Sequence, residues 1–219
     1  MPRNYPEVLP GCGVRMRWPD SRHKTFDPES LEQTLAEVRE VLESSGADIR
    51  AGLYKDILLN ALETKDDDLD ILDLKVINRA VAEFRYAARI FKPYRGTRKV
   101  SIFGSARTPE DDPYYASAVE LGRRLAETGH MVITGAASGI MRAGIEGAGP
   151  DKSFGVNILL PFEASPSGAF KGDPKLITFR YFFTRKIFFV MEAHACVLFP
   201  GGFGTHDEGF EVLTLLQTG

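Results

Sequence analysis

Arg185 and Lys186, and further on Gly201-Gly202-Phe203-Gly204-Thr205 with His206, Asp207 and Glu208 directly behind it, are the residues of this 219-residue chain whose types and spacing best fit chemistry. An apolar run ends in Pro200 and the glycines, and an apolar helical pattern follows. Glycine lets backbone N–H groups come close to an anion, and a helix beginning there adds its N-terminal partial charge. A phosphate is the natural guest. The carboxylates behind the loop suggest that something beyond binding happens there. A local reading competes: Thr205-x-x-Glu208 is also the capping-box pattern, in which Thr205 caps the helix and Glu208 reaches back to the cap N–H. That reading explains Thr205 and Glu208 without a substrate, but not the glycines ahead of them.

Arg185 and Lys186 follow Thr184 near the start of a helix flanked by "RYFF" and "IFFV". A solvated cationic pair is one reading; a pair emerging from a largely buried helix into a cleft or interface is the other. Strand-like runs also end at Gly104-Ser105 and at Gly135-Ala136-Ala137-Ser138-Gly139. Neither is a strict dinucleotide fingerprint or a Walker A loop, yet three small-residue strand ends on one sheet edge carry more weight than any one. The four histidines show no metal spacing, and only His206 stands where it could contact a ligand. No Gly-x-Ser-x-Gly elbow or Cys/His nucleophile pair is visible.

The elements that must position these residues read as follows. Residues 1 to about 27 form a Pro-, Gly- and Arg-rich arm. Three helical patterns follow, from Asp27, from Ala47 and from Asp73 to Pro93, with the acidic run "KDDDLDILDLK" as a solvated loop. From Arg98, apolar strands alternate with helices: "KVSIFGSA", "HMVITGAASG", "SFGVNILLPFE" and "ACVLFPGG" are the strands, and Gly129 closes the helix between the first two at its C-cap. Strands that are apolar throughout and separated by helices predict a parallel sheet covered on both faces. The expectation is an α/β protein: a Rossmann-like doubly wound parallel sheet at 96–219 behind an arm and helical extension at 1–95. Net charge is −3, which argues against a nucleic-acid surface. Cys12 and Cys196 lie far apart and form no disulfide framework, with Cys196 a reduced thiol in an apolar strand. No run approaches a membrane span and no apolar leader is seen, so the expectation is a cytoplasmic protein.

"PGGFGTHDE" resembles the P-G-G-x-G-T-x-x-E signature of the LOG (Lonely guy) family, phosphoribohydrolases that release a free base from a nucleoside 5′-monophosphate. "TRK" resembles the family's Arg-Lys pair, while "FGSA" and "TGAASGIM" sit where the family has its Gly-Ser loop and its Gly-rich loop. The similarity runs from about Lys99 to Gly219, and the segment before it resembles the longer bacterial branch with a helical extension. The resemblance implies Arg185 and Glu208 as catalytic residues, and Gly201, Gly202, Gly204 and Thr205 as the seat of the 5′-phosphate. Gly104 and Ser105 would lie beside the ribose phosphate, Gly135 and Gly139 in the second glycine loop. Lys186, Glu163, Asp207 and Thr214 match positions lining the substrate site. No metal or cofactor is implied; the partners are a nucleoside monophosphate, cytokinin-type or ordinary purine or pyrimidine, and further copies in a homodimer or higher homo-oligomer. The alternative is a non-catalytic carrier of a nucleotide or phosphorylated cofactor on the same fold. Relatives are often labelled lysine decarboxylases, but nothing here singles out a lysine for a Schiff base. Two departures stand out. Gly135-Ala136-Ala137 replaces successive glycines, and the family fold continues past the position of Gly219, so the expected domain is incomplete at its C-terminal end.

Overall fold

The computed structural model describes residues 28–43, 49–159 and 172–219. Two compact units divide after Ile77. In the first, α1 (Pro28–Glu43) and α2 (Ile49–Glu63) are followed by the acidic turn. Asp70 Oδ1 accepts from the backbone N–H of Asp73 at 2.8 Å, a local cap of the type that starts a helix. α3 (Ile71–Phe91) therefore begins ahead of Asp73, inside the run expected to be a loop.

The division falls within α3. The reason is packing. Glu83, Ala87 and Phe91 recur every four residues, lie on one helix stripe, and are all buried. This half of α3 belongs with the second unit's core.

That second unit is built on a five-stranded sheet ordered β4-β3-β2-β1-β5, with every neighbour pair parallel. The strands are β1 (Lys99–Phe103), β2 (Met131–Thr134), β3 (Ser153–Ile158), β4 (Leu176–Phe179) and β5 (Ala195–Leu198). β4 was not legible in sequence; it is four residues long and no glycine loop follows it. The helices are α4 (Pro113–Glu127), α5 (Ile140–Ala148), α6 (Phe182–Met191) and α7 (Phe203–Thr218). Asp112 caps α4, accepting from Tyr114 N at 2.7 Å. At its other end Thr128 is the cap, and Gly129 follows it with φ +81°, not as the cap itself.

Alternate residues of the strands feed opposite cores, as the pleat demands. Ile102 and Val132 pack with Tyr115, Ala118, Ile140 and Ala143 of α4 and α5. Phe103, Ile133, Phe154, Val156 and Phe179 pack with Phe91, Phe188 and Phe189. The second core is aromatic: Phe91 stacks on Phe154 at 4.4 Å between centroids and Phe189 meets Phe103 edge-on at 5.0 Å. Each buried Phe is worth about 1.5–3 kcal/mol of burial, so this layer fixes α6 firmly against the sheet. The doubly wound architecture expected from the alternation is the one observed.

Strand order reverses direction at β1, with β2 on one side and β5 on the other. Loops leaving β1 and β5 diverge there and leave a crevice at the carboxyl edge, the usual ligand position in such sheets. Among the described residues, no helix is long and apolar enough to cross a membrane.

Candidate functional site

The crevice is a cleft of ≈ 450 Å³ walled by the loops after β1, β2 and β5 and by the starts of α6 and α7. The β1 loop is laced to both neighbours. Ser105 N donates to Pro200 O at 3.1 Å, and Ser105 O accepts from Ile140 N at 3.0 Å. Ser105 Oγ accepts from Arg107 N at 3.0 Å. Gly139 makes this lacing possible: it has φ +61°, and a β-carbon on it would strike Ser105 O.

Arg185 enters the cleft from the first turn of α6. Its Nε donates to Val156 O at 2.9 Å, and its guanidinium lies 4.9 Å from the Phe189 ring centroid, one turn further along the helix. Its Nη1 is 3.2 Å from Glu208 Oε1. Gly135 leaves the space the guanidinium needs, since a β-carbon there would come within 2.7 Å of Nη2. The two side chains of the pair are only 10% and 14% exposed. Taking two charges out of water costs several kcal/mol per ion, so such a pair is poor evidence for a stability role. A buried pair facing a cleft is better evidence for a functional one. Burial pushes the Glu208 carboxyl above its ordinary range; Arg185 opposes the shift and Asp207 adds to it.

The capping-box reading fails on the position of the helix start. The N-cap of α7 is Gly202, with no side-chain cap, and Thr205 already lies within the first turn. Glu208 turns to Arg185 instead of back to the helix end. The first N–H groups of an α-helix have no intrahelical acceptor, and Gly202, Phe203, Gly204 and Thr205 all line the cleft. Gly201 lies under this turn, and a β-carbon on it would collide with the Thr205 side chain.

Lys186 also reaches α7 but does not line the cleft. Its ammonium is 2.7 Å from Asp207 Oδ1 and 3.4 Å from Glu211 Oε2, tying α6 to α7. Burial works against its charge, but the bond to Asp207 and the charge of Glu211 prevail and raise its pKa. Of the cationic pair, only Arg185 faces the cleft.

Among the expected residues, Gly104, Ser105, Gly135, Arg185, Gly202, Gly204, Thr205, Asp207 and Glu208 come together on the cleft wall. Gly139, Gly201 and Lys186 stand behind it, shaping the loops that form it. Thr214 does not reach it: it is exposed, six residues beyond Glu208 on α7, and its hydroxyl donates to Phe210 O at 2.7 Å. His206 is exposed and lies against Phe210, with ring centroids 6.2 Å apart. Glu163 and Cys12 lie outside the described residues. Cys196 on β5 is half-buried, and burial raises its thiol pKa.

The glycine loop after β2 carries an unusual residue. Ala136 is fully buried with φ +58°, a left-handed conformation that costs a non-glycine residue about 1–2 kcal/mol. Its N–H donates to Thr134 Oγ1 at 3.1 Å. The loop thus keeps a glycine-type conformation although alanine fills it. Residues not anticipated from the sequence complete the wall, among them Arg107, Met141, Asn157 and Phe182. Asn157 had a signal, a polar residue near the carboxyl end of an otherwise apolar strand, and Met141 had one as the last residue of the "TGAASGIM" loop.

The family model described as "possible lysine decarboxylase" matches residues 133–219. That stretch holds the "TRK" and "PGGFGTHDE" motifs, so the resemblance to the LOG family is borne out there. Among curated proteins, none matches the chain. An X-ray structure of a structural-genomics target, TM1055, is similar at 22% identity over 54% of this chain and 70% of that one, with a TM-score of 0.42. The Moco carrier protein from Chlamydomonas reinhardtii is similar at 23% identity over 54% of this chain and 71% of that one, with a TM-score of 0.40.

Proposed function

We propose that the chain hydrolyses the N-glycosidic bond of a nucleoside 5′-monophosphate, giving a free base and ribose 5-phosphate. The observation that carries this reading is the Arg185–Glu208 pair, 3.2 Å apart and buried, beside an α7 N-terminus that no side chain closes among the described residues. The 5′-phosphate would accept from the backbone N–H groups of Phe203, Gly204 and Thr205, where the helix charge favours an anion. Glu208 follows Thr205 by one turn, within reach of a ribose held by its phosphate.

Breaking the C1′–N bond leaves its electron pair on the base and a cation-like ribosyl ring. A carboxylate stabilises such a ring or takes a proton from the attacking water. Glu208 fills that role, and burial near a cation tunes it as such groups are tuned. The water oxygen bonds to C1′, its proton goes to the carboxylate, and the base nitrogen that keeps the electron pair takes up a proton in turn. Arg185 holds the nucleotide and assists departure of the base. Binding energy on the phosphate positions the sugar for attack, so the unphosphorylated nucleoside should react poorly.

The test is incubation of the protein with AMP, CMP, GMP, UMP and isopentenyladenosine monophosphate, followed by assay for ribose 5-phosphate and free base. Release from any of them, lost in Glu208→Ala, supports the hydrolase. Nucleotide bound in calorimetry without release assigns the chain to the second reading, a non-catalytic carrier of a nucleotide or phosphorylated cofactor.

A further inference from the structure

Glu83, on α3, is 1% exposed. Its Oε1 accepts from the backbone N–H of Arg180 at 2.9 Å, and its Oε2 accepts from Thr184 Oγ1 at 2.6 Å. These donors bracket Tyr181, the N-cap of α6, which offers no side-chain cap of its own. A buried carboxylate is costly unless its acceptors are filled by good donors, and here each oxygen has one. The charge also lies at the positive end of the α6 dipole. Arg79 shares the surroundings: burial and the like charge of Arg180 lower its pKa, while Glu83 opposes the shift.

Arg185 stands in the part of α6 that this carboxylate secures. Its backbone N–H makes the bond to Tyr181 O, at 3.3 Å, that closes the helix's first turn. α6 is only ten residues long, and the first turn of so short a helix frays unless something holds it. Fraying would take Arg185 Nε off Val156 O and the guanidinium off Glu208.

We propose that Glu83 is a positioning residue for Arg185: from a helix distant in sequence it clamps the first turn of α6 and so holds the guanidinium in the cleft. This rests on the reading that Arg185 acts in that cleft. It gives α3 a part in the site that its apolar pattern does not announce.

The test follows the Arg185 Nε–H signal in ¹⁵N-labelled protein, assigned by its loss in Arg185→Lys. In Glu83→Gln one of the two donors faces an NH₂ group. Loss of a bond to a charged acceptor corresponds to about tenfold or more in a local opening equilibrium. The expected result is hydrogen exchange at Arg185 Nε about tenfold faster, with the amides of Val132 and Ile133 on β2 unchanged. Thr184→Val, which removes one donor and keeps the side chain's shape, should move the same signal in the same direction by less, and serves if Glu83→Gln does not fold. An unchanged Arg185 signal, or one that changes only in step with the β2 amides, overturns the proposal. The readout needs no turnover. Absence of base release with a changed signal would remove the hydrolase reading alone; base release with an unchanged signal would remove the clamp alone.

Discussion

The helices α6 and α7 start at the same cleft, yet their N-termini are treated in opposite ways. At α6 the chain supplies its own anion: Glu83 accepts from Arg180 N and Thr184 Oγ1. At α7 Gly202 is the cap, among the described residues no side chain accepts from the first turn, and those residues border the cleft. α4, away from the cleft, is closed in the ordinary local way by Asp112. A helix start with its own carboxylate is a fixed support. One left open beside glycines is a place for someone else's phosphate. The closed start carries the arginine and the open one carries the glutamate, and the two side chains meet between them at 3.2 Å.

Breaking the meeting point should have the largest effect. Glu208→Ala is expected to lower kcat for base release by roughly 10²–10⁴, the range for one acid/base side chain, with calorimetric nucleotide binding largely kept. Retention of near-full turnover would remove Glu208 from the chemistry.

The comparison can also be erased by giving α7 what α6 has. Gly204→Asp has open space for its side chain and puts a carboxylate in the first turn. It should stabilise the protein by about 0.3–1 kcal/mol through the helix dipole, raising Tm, while nucleotide affinity falls because the phosphate meets a like charge. A variant that binds nucleotide as well as the parent would place the phosphate elsewhere.

Titration of Glu208 sharpens the contrast. Its pKa in the fold is raised above 4.5 by burial, so the folded state binds its proton more tightly than the unfolded chain. Stability from this group is full below the unfolded value and is lost as pH rises through the folded one. Glu208→Gln removes that loss. Its Tm relative to the parent should therefore climb as pH rises from about 4.5 toward neutrality; a difference flat with pH would contradict the shift. If the ionised carboxylate is the working form, the acid limb of the kcat profile should also lie above the ordinary glutamate range.

The smallest effect is expected behind the cleft. Ala136→Gly relieves a left-handed alanine but adds freedom to the unfolded chain, for a net gain below about 1 kcal/mol, read as a small rise in denaturation midpoint. A loss would mean that the buried methyl packs well enough to offset its conformation.

Much of this was legible in the sequence because its causes are local. Glycines at strand ends, apolar strands separated by amphipathic helices, and the Arg185 and Glu208 motifs are written in neighbouring residues. They gave the sheet, its carboxyl-edge loops and most of the cleft wall. Where local pattern and tertiary contact competed, pattern misled. Thr205-x-x-Glu208 reads as a capping box, but the helix starts at Phe203 and a guanidinium from another helix takes the carboxylate. Lys186 reads as the partner of Arg185, but successive helical positions point apart, and it pairs with Asp207.

The sequence by itself determined the elements and the residues able to do chemistry, since hydrophobic period, turn residues and side-chain type act over a few positions. Tertiary structure alone decided which of those residues meet. It set the strand order that opens a crevice between β1 and β5, the burial that raises the Glu208 pKa, and the reach of Glu83 across 101 positions to Thr184. Burial and charge pairing depend on distance in space, and a chain's local pattern does not encode that distance.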